Sequence, residues 1–213
     1  DKTYYEWIAE LCGAVSVSHY DDDICFNAVK KFTDLNMHTV NIHQIIAKET
    51  MDDCFKILKN KLTDSRLFNM RSIVFLSLKE KGKRNTMHII DDMVKYKELI
   101  DFAKENHISI GFDSCGANRF LDTVKDDKDY EYYEEVSEPC EADSFSFYIN
   151  VNGIHFPCSF CENENNNGYN WTTGIDLKKN NLNFIDDVWH NKRVEKFRKA
   201  TINNCRKCVM FNV

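Results

Sequence analysis

The positions of the cysteines restrict the fold of this 213-residue sequence more than any other feature. Five of the nine cysteines lie beyond residue 139: Cys140, Cys158, Cys161, Cys205 and Cys208. The N-terminus lacks the basic and then apolar pattern of an export signal, so we expect a cytoplasmic protein in a reducing compartment. Clustered cysteines in such a compartment bind metal more often than they form disulfides. The last third of the chain is therefore predicted to fold around a metal.

A β-hairpin is predicted within this cysteine-rich part. Residues 145–157 read as two short strands, and Asn152-Gly153 between them supplies the residues of a type I′ turn. Because the strands of a hairpin are antiparallel, they would bring Cys140 and Cys158 to the same end of the ribbon.

A final helix is predicted over residues 184–200, directly before the remaining pair of cysteines. Two metal groups suit four thiolates from these elements. Zinc would bind Cys158, Cys161, Cys205 and Cys208, whereas a [4Fe–4S] cluster would bind Cys140, Cys158, Cys205 and Cys208 and leave Cys161 over. The spacing by itself slightly favours zinc, because two C-x₂-C pairs are the pattern of a structural zinc site.

The first 125 residues alternate between strand and helix periodicity. Buried strands are predicted at 14–18, 39–42, 73–76 and 108–112, and helices at 23–32, 51–62 and 90–103. This alternation predicts an α/β fold of parallel βαβ units, whose functional sites form at the carboxyl ends of the strands. The candidates to line a substrate cavity there are His19, His43, Cys115 and Arg119, with Cys115 as a candidate catalytic thiol. Residues 126–139 are acidic and rich in tyrosine, which predicts a solvated linker.

Charge and hydropathy exclude two classes of partner. The net charge of −6 provides no basic surface for a phosphate backbone, so we expect no nucleic-acid partner. No apolar run approaches the length that a membrane span needs, so we expect no membrane partner.

The order and spacing of the carboxyl-terminal cysteines resemble the twitch domain of radical S-adenosylmethionine (SAM) enzymes, the shorter relative of the SPASM domain. Cys140 is followed after twelve residues by Gly153 and after four more by Cys158, and Cys205 and Cys208 come after a long gap. In that family the four matched cysteines hold an auxiliary [4Fe–4S] cluster. The resemblance implies the second half of a radical SAM (β/α) barrel over 1–125, a linker over 126–139 and a twitch or SPASM domain over 140–213.

The front of the chain resembles strands four to six of the radical SAM barrel. By that resemblance Ser18 and Asn41 would contact S-adenosylmethionine. The family's C-x₃-C-x₂-C loop is not in this sequence, so we expect an N-terminally truncated piece that is inactive alone. The resemblance implies that the intact parent binds S-adenosylmethionine and a second [4Fe–4S] cluster. It also implies a peptide or small-molecule substrate and an electron donor such as a flavodoxin or ferredoxin.

Overall fold

The chain divides into two compact units, Asp1–Asp113 and Ser114–Val213. The structure is a computed structural model that describes residues 2–179, 181–205 and 207–211. Arg206, which lies between the last two cysteines, and the end of the predicted 140–213 domain are outside these ranges. Among the described residues, no helix has the length and apolar character that crossing a bilayer requires.

The first unit is a parallel sheet with its crossover helices. Its elements are α1 (Tyr4–Leu11), β1 (Val15–Ser18), α2 (Asp22–Asp34), β2 (Val40–Ile46), α3 (Met51–Thr63), a 3₁₀ turn (Ser65–Leu67), β3 (Ser72–Ser77), α4 (Met93–Glu105) and β4 (Ile110–Phe112). The strands pair in the order β1-β2-β3-β4, and every pair is parallel. The predicted α/β fold with parallel βαβ units is confirmed at this level.

Two element boundaries in this unit differ from the prediction by three residues or more, and both differences have local reasons. The strand β2 continues to Ile46 instead of ending at Ile42, and the polar Gln44 is tolerated inside it because its side-chain oxygen lies 2.6 Å from His19 Nδ1. The helix α4 starts three residues later than predicted, since the Asp92 carboxylate accepts a hydrogen bond from the backbone N–H of Lys95 and fixes the start.

The two faces of the parallel sheet differ in polarity. In β2 the side chains at alternate positions from Val40 to Ile46 are buried, while those between them are half-buried. Right-handed crossovers between strands in sequential order place α2, α3 and α4 on one face of the sheet. The buried positions belong to that face. The opposite face, called the open face below, carries the exposed Ser16 and Ser18 and the half-buried Asn41 and His43 at neighbouring register positions.

The second unit consists of short elements. They are α5 (Ala117–Thr123), α6 (Tyr130–Val136), β5 (Tyr148–Ile149), β6 (Ile154–Phe156), a 3₁₀ turn (Ser159–Cys161), β7 (Glu164–Asn166), β8 (Tyr169–Trp171), β9 (Ile175–Asp176), a π-helical turn (Phe184–Trp189) and α7 (Lys192–Asn203). The strands β5, β6 and β9 form an antiparallel sheet with β6 in the centre, and β7 pairs with β8.

Two segments of this unit differ from the expected layout. Residues 130–136 of the predicted linker form α6, whose Tyr133 ring packs edge-on against Phe120 of α5, although no residue of α6 is buried. The single helix predicted over 184–200 was wrong. The chain forms the π-helical turn first and then starts α7 anew, because the Asn191 side chain accepts from the backbone N–H of Arg193 and caps a second helix.

Candidate metal centre

Cys158 is placed by the hairpin of β5 and β6, which follows the prediction in its strands but not in its turn. A type I′ turn needs a positive φ at both central residues, and of the predicted pair only Gly153 has one, at 71°. The side-chain oxygen of Asn150 instead accepts from the backbone N–H groups of Asn152 and Ile154 and stabilises a longer loop. The hairpin prediction is confirmed, and the type I′ turn was wrong.

Cys158 and Cys161 lie side by side after this hairpin. The 3₁₀ turn directs the backbone N–H of Cys161 to the carbonyl oxygen of Cys158 at 3.0 Å, and the two Sγ atoms are 3.5 Å apart. The hydrogen bond to Cys158, burial, and the negative charges of Cys158 and Cys208 together raise the pKa of the Cys161 thiol.

The segment that carries Cys208 is fastened to the β7–β8 hairpin by asparagine side chains. Asn166 Nδ2 donates to the carbonyl oxygen of Met210 at 2.6 Å, and Asn167 Nδ2 donates to that of Val209 at 3.3 Å. The Cys208 residue itself is 8% exposed. This role of the two asparagines was not predicted, although both lie in an asparagine-rich stretch of the sequence.

Cys140 and Cys205 differ in exposure. Cys140 is buried and precedes a compact turn in which the carbonyl oxygen of Glu141 accepts from the backbone N–H groups of Ser144 and Phe145. Cys205 is exposed beyond the end of α7 and has a φ of 50°. Across the described parts of the chain, no three His, Cys, Asp or Glu side chains are close enough together to hold a metal ion. The four-ligand set of Cys140, Cys158, Cys205 and Cys208 thus stays a prediction.

The donor set nevertheless fits a thiolate-bound metal in its chemistry. Thiolates are the preferred ligands of both zinc and iron–sulfur clusters. Two thiolates on one tetrahedral zinc ion are about 3.8 Å apart, given a Zn–S bond of about 2.3 Å. The 3.5 Å between Cys158 and Cys161 is close to that value. In a [4Fe–4S] cluster each thiolate binds a different iron atom, so its thiolate sulfurs lie farther apart than the sulfurs of this pair.

Two further residues of this unit were also missed by the sequence analysis. Asp143 and His155 are fully buried, and His155 Nε2 lies 3.0 Å from Asp143 Oδ1. One follows Cys140 by three residues, and the other precedes Cys158 by three. No pattern in a single sequence distinguishes such a pair from surface residues.

The candidate SAM contacts in the first unit lie on the open face of the sheet. Ser18 is the last residue of β1, is exposed and is opposite His43 in register. Asn41 lies near the start of β2, and Ser72 Oγ donates to its side-chain oxygen at 2.8 Å. Both residues share one face, and their contact with SAM stays a prediction.

The other candidates of the α/β part are divided between the two faces of the sheet and the second unit. His19 lies on the helix-covered face, where its ring nitrogens contact Gln44 and Asp22, at the mouth of an acidic cavity of about 620 Å³. His43 lies on the open face, and burial lowers the pKa of its imidazole. Cys115 and Arg119 belong to the second unit, in and just after the turn that follows β4. Cys115 is half-buried there and stays a candidate catalytic thiol.

Comparison with known proteins gives one match, which lies within the second unit. The family model described as SPASM, an iron–sulfur cluster-binding domain, matches residues 140–209. Neither the curated proteins nor the solved structures gave a match to the chain. The matched segment contains all five clustered cysteines and both asparagine anchors. Residues 140–209 are therefore similar in sequence to SPASM-type iron–sulfur cluster-binding domains.

Proposed function

We propose that this chain is the carboxyl-terminal portion of a radical SAM enzyme and that its SPASM-type domain holds one auxiliary [4Fe–4S] cluster. The proposed ligands are Cys140, Cys158, Cys205 and Cys208. The observation that carries the proposal is the family match over residues 140–209, because it covers all four cysteines in the expected order. When bound, such a cluster supplies one-electron transfer or a site that helps to position substrate.

The chain's own residues prepare the domain for this role. The β5–β6 hairpin leads into Cys158, and Asn166 and Asn167 fasten the segment of Cys208 to the β7–β8 hairpin. Cys140 is buried, and Cys161 is buried more deeply still. Bulk water is therefore kept away from these two thiols. A dry thiol environment limits hydrolysis and oxidation of a bound cluster.

The first unit is proposed to supply part of the radical SAM barrel. Its parallel strands and its open face with Ser18 and Asn41 support this assignment. In the intact parent, SAM and a second [4Fe–4S] cluster would act with an electron donor such as a flavodoxin or ferredoxin. The proposed substrate is a peptide or a small molecule, and we propose no nucleic-acid or membrane partner.

A second function, a non-catalytic zinc module that binds another protein, has one specific observation in its favour. The sulfur atoms of Cys158 and Cys161 are 3.5 Å apart, which suits two ligands of one metal ion. This alternative uses Cys158, Cys161, Cys205 and Cys208. It assigns no metal role to Cys140.

Two single mutants separate the proposals, because each proposal requires a different cysteine. We expect wild-type chain prepared without air to be brown, to contain iron and sulfide and to absorb broadly at about 400 nm. Cys140→Ala should abolish that absorption, and Cys161→Ala should retain it. The measurements are metal analysis by mass spectrometry and the visible spectrum.

A buried cysteine outside the matched segment provides the control variant. Cys25→Ala alters a buried thiol of α2, outside the matched segment, and should leave the iron content unchanged. The contrary outcome is colourless wild-type protein with one zinc per chain, where Cys140→Ala keeps the zinc and Cys161→Ala loses it. That outcome would contradict the cluster proposal and support the zinc module.

A further inference from the structure

The pair of Asp143 and His155 is unusual because both side chains are buried and the imidazole lies among aromatic rings. Their side chains are 0% and 1% exposed. The His155 ring centroid lies 5.5 Å from that of Phe147 and 6.3 Å from that of Trp171. Placing an acid and an imidazole in such surroundings is less favourable than filling the same volume with apolar side chains. Packing alone therefore does not account for this pair.

The polar atoms of the pair are also poorly satisfied. The Nε2–Oδ1 distance of 3.0 Å is that of an ion pair, yet within the described residues none of the four side-chain nitrogen and oxygen atoms has an aligned hydrogen bond. Buried polar groups without such partners are rare in folded proteins and frequently mark functional sites. The nearby Arg193 guanidinium, which lies 4.0 Å over the Trp171 ring, adds a charge that interacts with Asp143.

Asp143 is held firmly by its own backbone. It has a φ of 53°, in the left-handed region that few residues other than glycine adopt. Its N–H donates to the carbonyl oxygen of Ser146 at 2.8 Å, and its carbonyl oxygen accepts from Arg198 Nε. The Arg198 guanidinium in turn lies 3.9 Å over the Trp189 ring. The turn after Cys140 is thus fixed to the end of the domain that contains α7.

His155 is held by the sheet. It lies in the central strand β6, paired with Ile149 of β5 and Ile175 of β9. Gly174 approaches its carbonyl oxygen so closely that a Cβ there would lie 2.3 Å from it. The imidazole has little freedom to move away from Asp143.

We propose that Asp143 and His155 form a positioning pair for the metal ligands, a role that rests on the proposed cluster. The pair joins the turn that follows Cys140 to the strand that leads into Cys158, each within three residues of the cysteine. It sets the separation of the two thiols before a metal group binds. Asp143 and His155 act through the cysteines and are not themselves ligands.

The test uses the full chain and two readouts. Asp143→Asn keeps the shape of the side chain but removes its charge, and His155→Phe fits the aromatic surroundings but removes the imidazole. In the metal-free chain we expect iodoacetamide to alkylate Cys140 at least tenfold faster in both variants than in wild type, with Cys54 of α3 as the internal reference. Mass spectrometry gives the rates, and amide exchange in α7 reports whether the domain stays folded.

The iron-loaded chain provides the second readout. In both variants we expect a shifted electron paramagnetic resonance spectrum of the reduced cluster in the molecules that retain iron. His190→Gln, which alters an exposed histidine of the same unit, should change neither readout.

The outcomes separate this proposal from the previous one. Alkylation of Cys140 at the wild-type rate in both variants would overturn the positioning role. Loss of amide protection throughout α7 in both variants would also overturn it. The pair would then stabilise the whole domain and not the position of Cys140 in particular. Wild-type chain that binds no iron would contradict the cluster proposal, while the alkylation rates would still show whether the pair holds Cys140.

Discussion

Lys79 places an ammonium group inside the first unit. Its side chain is 2% exposed, and its Nζ donates to the Asp113 carboxylate and to the Ser77 carbonyl oxygen, both at 3.1 Å. The other oxygen of Asp113 accepts from the backbone N–H of Ser77. The Asp113 carboxylate thus pairs with a buried charge and extends the contact between the ends of β3 and β4.

Removal of the charge of Asp113 should destabilise the first unit. Breaking a buried ion pair costs about 3–5 kcal/mol, and because Asp113 is 23% exposed we expect Asp113→Asn to lose about 2 kcal/mol. Urea denaturation followed by hydrogen exchange in β3 and β4 measures the loss. Asp101→Asn, which breaks the exposed Lys97–Asp101 pair of α4, should cost less than about 0.5 kcal/mol. Equal losses in both variants would contradict the buried pairing.

The contact of Glu49 with His88 predicts a local pH dependence. Hydrogen bonds from the His88 backbone and ring lower the pKa of Glu49 to about 2, and the bond to Glu49 raises the pKa of His88. The lowered pKa means that the contact weakens as the pH falls toward about 2. The raised pKa means that it also weakens as the pH rises through that of His88.

Glu49→Gln should return the pKa of His88 toward its ordinary value, since the replacement amide carries no negative charge. Titration of the His88 ring protons by nuclear magnetic resonance measures this change. Asp91→Asn removes a neighbouring exposed acid that pairs with Lys48 and should leave the His88 curve raised. A His88 curve that is the same in Glu49→Gln and wild type would refute the assignment.

At the scale of elements, the junction of β6 and β9 depends on one glycine. A Cβ at Gly174 would lie 2.3 Å from the carbonyl oxygen of His155 and 2.8 Å from Phe156 Cζ, and the backbone atom cannot move without breaking the strand pairing. We expect Gly174→Ala to destabilise the second unit by about 3 kcal/mol. Thermal denaturation followed by tryptophan fluorescence measures this change.

Gly13→Ala is the matched control, because a Cβ there would meet no atom within 4 Å. It should change the free energy of unfolding by less than about 0.5 kcal/mol. Similar melting of Gly174→Ala and wild type would show that β6 and β9 are not packed as described.

The elements also show which parts of the fold a sequence reveals. The strands of the first unit were predicted from short runs of β-branched and aromatic residues. The prediction that all of them are buried was wrong for β1, whose residues alternate between half-buried and exposed because helices cover one face of the sheet. The strands β7, β8 and β9 were not predicted, since each has only two or three residues, and asparagine side chains support the chain there instead of an apolar pattern. The break at His190 was missed because apolar residues continue on both sides of it.

For the whole molecule, the division into two units predicts where metal removal will act. A bound metal group adds its binding free energy to the folding of the unit that contains the ligands. Chelation should therefore reduce amide protection in Ser114–Val213 and leave that of Asp1–Asp113 close to its starting value. Hydrogen exchange with mass spectrometry checks this, with Cys140→Ala chain as the already metal-poor reference. Parallel loss in both units would contradict it.

The candidate site was predictable in its residue types but not in its internal distances. The clustering and spacing of the cysteines were enough to predict a metal domain. The C-x₂-C spacing of Cys158 and Cys161 suggested that they pair, but it could not give the 3.5 Å between their sulfur atoms, which the 3₁₀ turn sets. Nor could it show the buried Asp143–His155 pair, which the tertiary packing of two separate segments creates.

The Asn167-Gly168 turn also makes the protein sensitive to deamidation during storage. Asparagine before glycine loses its amide readily, because glycine has no side chain to shield the attacking backbone nitrogen. The resulting carboxylate can only accept hydrogen bonds, so it would repel the carbonyl oxygens of Val209 and Met210 that the amide now holds. We expect hydrolysis of the Asn167 amide during long storage at alkaline pH to loosen the segment of Val209 and Met210, and with it Cys208. Mass spectrometry of the peptide detects the change, and the alkylation rate of Cys208 measures its effect.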